Sequence, residues 1–143
     1  MDTDLKTEKM TINVSTLDLA KIDLLVDSLE YTNRSGFCRI AIRELLEKHK
    51  GDFARLQQQS EKVQFRPEHP VVGGIGLIYL ARETLEEAVQ KGQTLNVMVT
   101  GILVVDQGIT PQLVDAAIEA AKIRGKIQAT PEIVSALKRK ERR

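Results

Sequence analysis

Between Lys9 and Val14 polar and apolar residues alternate. Met10, Ile12 and Val14 fall on one side of an extended chain, and Lys9, Thr11 and Asn13 on the other, because strand side chains point to opposite faces with period two. This predicts a short strand. The period then changes: Leu19, Ile22, Val26 and Leu29 recur at helical spacing, with Asp18, Lys21, Asp27 and Glu30 on the remaining faces. That predicts a first helix opening near Leu17, with Ser15 or Thr16 as its cap. Tyr31-Thr32-Asn33 interrupts the pattern, and Ser35 is the expected cap of a second helix reaching about Lys50. Phe37, Cys38, Ile40, Ala41 and Leu45 form its apolar face. A lone strand leaves its backbone donors and acceptors unpaired, and a unit of under about 50 residues rarely buries enough surface to fold by itself. The order strand, helix, helix therefore predicts an intertwined homodimer whose two strands pair antiparallel into a ribbon. Its dimer core would be Met10, Ile12, Val14, Ile22, Val26, Phe37, Ile40, Ala41 and Leu45.

The rest of the chain has a different texture. Residues 51–64, rich in Gln, Ser and charge, read as a helix extension or a tether. Arg66-Pro67-Glu68-His69-Pro70 stops any helix and reads as a stiff, extended boundary. From Val71 the pattern predicts an apolar strand around Ile75 to Leu80, a helix from about Arg82 to Lys91 closed by Gly92, and a β-rich stretch from Thr94 to Val105. After a turn at Asp106-Gln107-Gly108 come a helix opening at Thr110-Pro111, a short strand near Lys126 to Ala129, and a last helix opening at Thr130-Pro131. Thr100-Gly101 marks either a bulge or a hairpin turn; the second option would make the order β-α-β-β-α-β, as in ferredoxin-like or ACT-type domains. The expected class is α+β: a dimerisation domain over residues 8–50, whose two-stranded ribbon fits a DNA major groove and so suggests DNA binding, a linker or helix extension over 51–70, and a small mixed α/β domain over 71–140.

Charge changes the picture little. Residues 1–50 carry 8 Lys plus Arg against 9 Asp plus Glu, and the whole chain has a formal net charge of +1. No overall positive field announces a nucleic acid, so a DNA reading rests on where charges sit. Aromatics make up 3% of the chain and Trp is absent, which argues against a stacking platform for single strands. The single Cys38 cannot form an internal disulfide and suits a reducing cytoplasm. The acidic start Met1-Asp2-Thr3-Asp4 does not resemble a signal peptide. The basic tail Lys138-Arg139-Lys140-Glu141-Arg142-Arg143 reads as a frayed, charged terminus.

Three segments carry a family resemblance: Lys9-Met10-Thr11-Ile12-Asn13-Val14, then Leu19-Ala20-Lys21-Ile22-Asp23-Leu24-Leu25-Val26, then Tyr31 through Arg43 with Asn33-Arg34-Ser35-Gly36 at its turn. Together they resemble the ribbon-helix-helix DNA-binding fold in its CopG/MetJ/Arc-like form, over the first third of the chain. The full-length layout is similar to long ribbon-helix-helix regulators found in archaea. The resemblance implies that Lys9, Thr11 and Asn13 read bases in the major groove of double-stranded DNA, and that Asn33, Arg34, Ser35 and Gly36 hold the phosphate backbone. The chemistry agrees. Lys can donate to guanine O6 or N7, Asn can address adenine N6 and N7 together, and Thr can meet a thymine methyl. A helix start offers backbone N–H groups to phosphate. Leu29 lies where many relatives place a glycine between the helices, and Gly36 where an acidic residue is common.

For the second domain no cofactor, metal or enzyme activity is expected. Gly73-Gly74-Ile75-Gly76 precedes a strand rather than joining a strand to a helix, unlike a phosphate loop. Metal sensing, as in the nickel-responsive ribbon-helix-helix repressors, needs clustered ligands, and only His49, His69 and Cys38 are present. Glu86-Glu87 reads as a solvent-facing pair. The function expected is a cytoplasmic, nucleoid-associated transcriptional regulator, a homodimeric repressor reading an inverted repeat. Its second domain would serve higher oligomerisation, a protein partner or a small-molecule effector, and no membrane. The alternative is an antitoxin of a toxin–antitoxin pair.

Overall fold

The computed structural model describes residues 7–141. These divide into two compact units, one ending at Lys50 and the other beginning at Gly51.

In the first unit, residues 7–15 form neither helix nor sheet. Main-chain groups of a strand are satisfied only by a neighbour, so the alternation at Lys9–Val14 yields no ladder within one chain. Helix α1 (Thr16–Asp27) starts where Ser15 caps it: the Ser15 hydroxyl accepts from the Asp18 N–H at 3.0 Å and donates to the Asp18 carboxylate at 2.7 Å. Helix α2 (Arg34–Lys48) is capped by Asn33, not by Ser35, which is its second residue. Leu29 leaves the predicted apolar stripe of α1. It sits beyond the helix end at φ 61°, 90% exposed, in the turn that closes α1: its N–H bonds Val26 O at 3.0 Å and the Glu30 N–H bonds Leu25 O at 3.1 Å. This double bond pattern needs a left-handed residue, normally glycine.

The second unit opens with helix α3 (Lys50–Gln64), so residues 51–64 are helical. The proline segment is a turn rather than an extended spacer: the His69 N–H reaches Arg66 O at 3.3 Å, and proline's fixed φ favours Pro67 at the second turn position. Then follow β1 (Val71–Leu80), α4 (Arg82–Gln90), β2 (Leu95–Val105), α5 (Pro111–Ala117), β3 (Ile118–Gln128) and α6 (Pro131–Arg139). The three strands form one parallel sheet in the order β1-β2-β3. Thr100-Gly101 is thus neither a bulge nor a hairpin turn, and the order is not ferredoxin-like, because β2 runs through it in unbroken register with both neighbours. The last strand also starts eight residues earlier than its sequence suggests. Ala, Glu and Lys favour helix in Ile118–Lys122, yet Ile118, Ala120 and Ala121 are almost fully buried in the sheet, and that packing outweighs propensity.

The crossover helices α4 and α5 and the final helix α6 cover one face. Leu85 and Ala88 of α4, Val114 and Ala117 of α5, and Ile133, Ala136 and Leu137 of α6 share one core with Leu80, Val97, Val99, Leu103 and Val105. Gly76, Gly101 and Gly125 stand in register across the strands, at φ 116°, 139° and 130°. A Cβ on Gly125 would strike the Gly101 carbonyl, and one on Gly101 the Gly76 carbonyl. The opposite face carries a smaller cluster of Phe65, Met98 and Ala120, and Arg124 there donates to the Ser60 hydroxyl of α3 at 2.9 Å. The turn after β2 is tied by Asp106, whose carboxylate accepts from Gly108 N–H at 3.0 Å and from Arg82 N–H at 3.4 Å. These amides, with Tyr79 and Arg82, hold Asp106 below the ordinary carboxylate range.

Glu86 and Glu87 each bond a cation one turn away, Arg82 and Lys91, at 2.6 Å. Lys138 and Arg139 end α6 rather than fray, and Lys140 donates to Asp115 O at 3.2 Å. Met1 to Asp4, Arg142 and Arg143 lie outside the described residues.

Candidate nucleic-acid interface

The first unit positions its proposed DNA-facing groups through two short devices. The first is the segment leading into α1. Lys9, Thr11 and Asn13 are exposed, and so are the three apolar residues between them: Met10 at 67%, Ile12 at 56% and Val14 at 45%. An apolar triplet left in water next to a polar triplet costs free energy unless another surface covers it, since each buried aliphatic side chain is worth about 1.5–3 kcal/mol.

The second device is the start of α2. Asn33 is extended, and its side-chain oxygen accepts from the Gly36 N–H at 2.7 Å. One of the orphan amides of the helix start is thereby satisfied, while the Arg34 and Ser35 amides make no hydrogen bond among the described residues. Arg34 is not free. Its Nε donates to Asp23 Oδ1 at 2.7 Å and its Nη2 to Oδ2 at 2.8 Å, a two-pronged contact that ties α2 to the middle of α1. The guanidinium holds Asp23 below the ordinary carboxylate range, chiefly through this hydrogen bond, and the carboxylate raises Arg34 in return. Both side chains remain open to solvent, so the bond orients more than it stabilises. Tyr31 packs edge-on against Phe37, ring centroids 5.0 Å apart, fixing the turn just before Asn33.

Asn33, Arg34, Ser35 and Gly36 are therefore gathered at one helix start, while Lys9, Thr11 and Asn13 line a separate segment. Of the nine expected dimer-core residues, Ile22 alone is buried within the single chain. Val26 and Phe37 are half-buried, and the other six are exposed. Sequence reasoning missed Asp23 and Tyr31. Asp23 was one more polar position on α1, and only the return of the chain brings it opposite Arg34, eleven residues on. Tyr31 was read simply as part of a pattern break, although a lone aromatic six residues before Phe37 is a usable signal.

Residues 5–134 match the model of the ribbon-helix-helix transcriptional regulator family. The chain belongs to that family. The match is not confined to the N-terminal third where the resemblance was first visible, so the second unit is part of what defines these ribbon-helix-helix regulators. No curated protein and no solved structure matches the chain. Among the described residues of this ribbon-helix-helix protein, no group of three or more His, Cys, Asp or Glu could hold a metal ion, and no helix is long and apolar enough to cross a membrane.

Proposed function

We propose that the chain is a cytoplasmic, sequence-specific repressor that acts as a homodimer, inserting a two-stranded antiparallel ribbon into the major groove of an inverted-repeat operator. The observation that carries this reading is the uncovered triplet Met10, Ile12 and Val14, backed by a helix pair in which only Ile22 is buried. A second copy covers the triplet and pairs the backbone in one step. Lys9, Thr11 and Asn13 then face outward in two antiparallel rows and read base edges. The Arg34 and Ser35 amides, held at the start of α2 by the Asn33 cap, bind a phosphate on each side of the ribbon and set its register. The Arg34 guanidinium joins them only by sharing or leaving Asp23. Gly36 contributes room near the phosphate, its own N–H being committed to Asn33.

Binding measured on fragments of the protein's own promoter tests the reading. Lys9→Ala and Asn13→Ala should each cost about 1–3 kcal/mol of specific affinity. Arg34→Ala should weaken binding evenly across sequences and flatten its salt dependence. Specific binding as tight as the parent's by a dimeric Lys9→Ala, Asn13→Ala double variant would remove the ribbon as reader. The antitoxin alternative is less well supported. An antitoxin arm is usually disordered until its toxin arrives, whereas residues 71–140 here carry a core with Leu85, Val99, Leu103 and Val114 wholly buried.

A further inference from the structure

The two edges of the parallel sheet are unlike. Strand β3 carries Glu119, Lys122, Arg124 and Lys126, and its beginning is bridged by Glu141, with the Ala121 N–H bonded to Lys140 O at 2.9 Å. Charge and a covering segment are the usual ways in which an edge is kept from pairing with another chain. Strand β1 has neither. Its ten residues, Val71–Leu80, include no charged residue and no proline. On the face away from α4, α5 and α6 it leaves Ile75, Leu77 and Tyr79 at 46%, 52% and 60% exposure, next to the half-buried Ile102 and Val104 in register on β2. Parallel sheets are ordinarily covered on both faces, and a free edge of this length is an open template. Gly76 adds a detail. It has the same left-handed backbone as Gly101 and Gly125, yet a Cβ on it would meet nothing within 4 Å, whereas the other two lie against the backbone of the preceding strand.

We infer that the free edge of β1 pairs antiparallel with β1 of a second copy, joining two three-stranded sheets into one of six strands. This rests on the homodimer reading above, which supplies the second copy. Directly opposed residues of an antiparallel pair lie on the same face, so a two-fold axis through β1 sets odd-numbered residues against odd-numbered ones. With the axis at Ile75, Leu77 lies opposite Gly73 of the second copy and Tyr79 opposite Val71, large against small. Ile75, Leu77 and Tyr79 of both copies then form one continuous apolar surface. Neither strand brings a charge to repel its twin. The junction is smaller than the roughly 800 Å² per partner of a free-standing complex. It is sized for copies already joined through their first units, where the effective concentration is high.

Amide hydrogen exchange on the full chain at dimeric concentration tests this. In β1 only alternate amides can bond β2. Pairing predicts that the outward amides are protected too, and that Leu77→Lys and, separately, Ile75→Lys speed their exchange at least ten-fold while β2 amides stay protected. Unprotected outward amides in the parent chain, or protection unchanged in both lysine variants, would overturn the pairing. Failure of the ribbon reading registers elsewhere, in DNA affinity insensitive to Lys9 and Asn13.

Discussion

From Gly51 onward the chain buries Leu85, Met98, Leu103, Val114 and Ile118 completely, whereas among the described residues up to Lys50 only Ile22 falls to 9% exposure. Both halves carry enough aliphatic side chains. What differs is where the surface that covers them comes from. In the second unit three helices fold back onto one face of their own sheet, so the core between them is closed within one chain and independent of concentration. In the first, two helices and an unpaired segment leave most of their apolar residues open, so burial waits for another copy. On the proposed homodimer reading, the first unit is thereby conditional on assembly, and the core of the second is not.

The sharpest way to break this contrast is Ile12→Asp. It puts a charge into the apolar triplet and should abolish dimers and specific DNA binding together, with the second unit's melting temperature unchanged by calorimetry. In the parent chain, two unfolding transitions should appear, the lower one moving with protein concentration and the upper one not. Next in size is Leu103→Ala, which should cost about 2–5 kcal/mol by denaturant titration of the upper transition and leave the lower one in place. Smaller, and of opposite sign, is Leu29→Gly. A non-glycine residue in a left-handed turn carries about 1–2 kcal/mol of strain. With the side chain almost wholly in solvent, its removal should stabilise the lower transition by about 1 kcal/mol.

The smallest effect is with acid. Asp23 and Asp106 are both depressed in the folded chain, so each contributes stability above its unfolded value that is lost as pH falls through the folded one. Asp23→Asn should flatten the acid limb of the lower transition and Asp106→Asn that of the upper. An unchanged limb in either variant would assign the acid sensitivity of that unit to other carboxylates.

The same contrast governs how much was legible in the sequence. Caps and periods are local, and Ser15, Thr110, Asn33's neighbourhood and the starts of α4, α5 and α6 followed from them. The helix start at Asn33 to Gly36 was legible as well, while the base-reading role proposed for Lys9, Thr11 and Asn13 comes from the family resemblance. What escaped was set by residues far apart in the chain. Ile118–Lys122 has helix-forming side chains and becomes a strand because β2 and α6 enclose it. Thr100-Gly101 looks like a turn and continues a strand because Gly76 and Gly125 flank it. The Arg34 contact with Asp23 depends on how α1 and α2 cross. Leu29 was readable in part: its place where a glycine is common pointed to a left-handed turn, while its spacing argued for one more turn of α1.

The aligned glycines bear on how such a unit can change over time. Gly76, Gly101 and Gly125 recur at steps of about 25 residues, each step laying down one strand and one helix against the last. A fold built by addition can be lengthened by duplicating a step, since contacts run mainly between nearest neighbours. Growth at the β3 side would leave β1 as the outermost rung, while growth at β1 would consume the uncharged edge. Size and assembly are therefore separable in this architecture, and only one end of the ladder is free to vary.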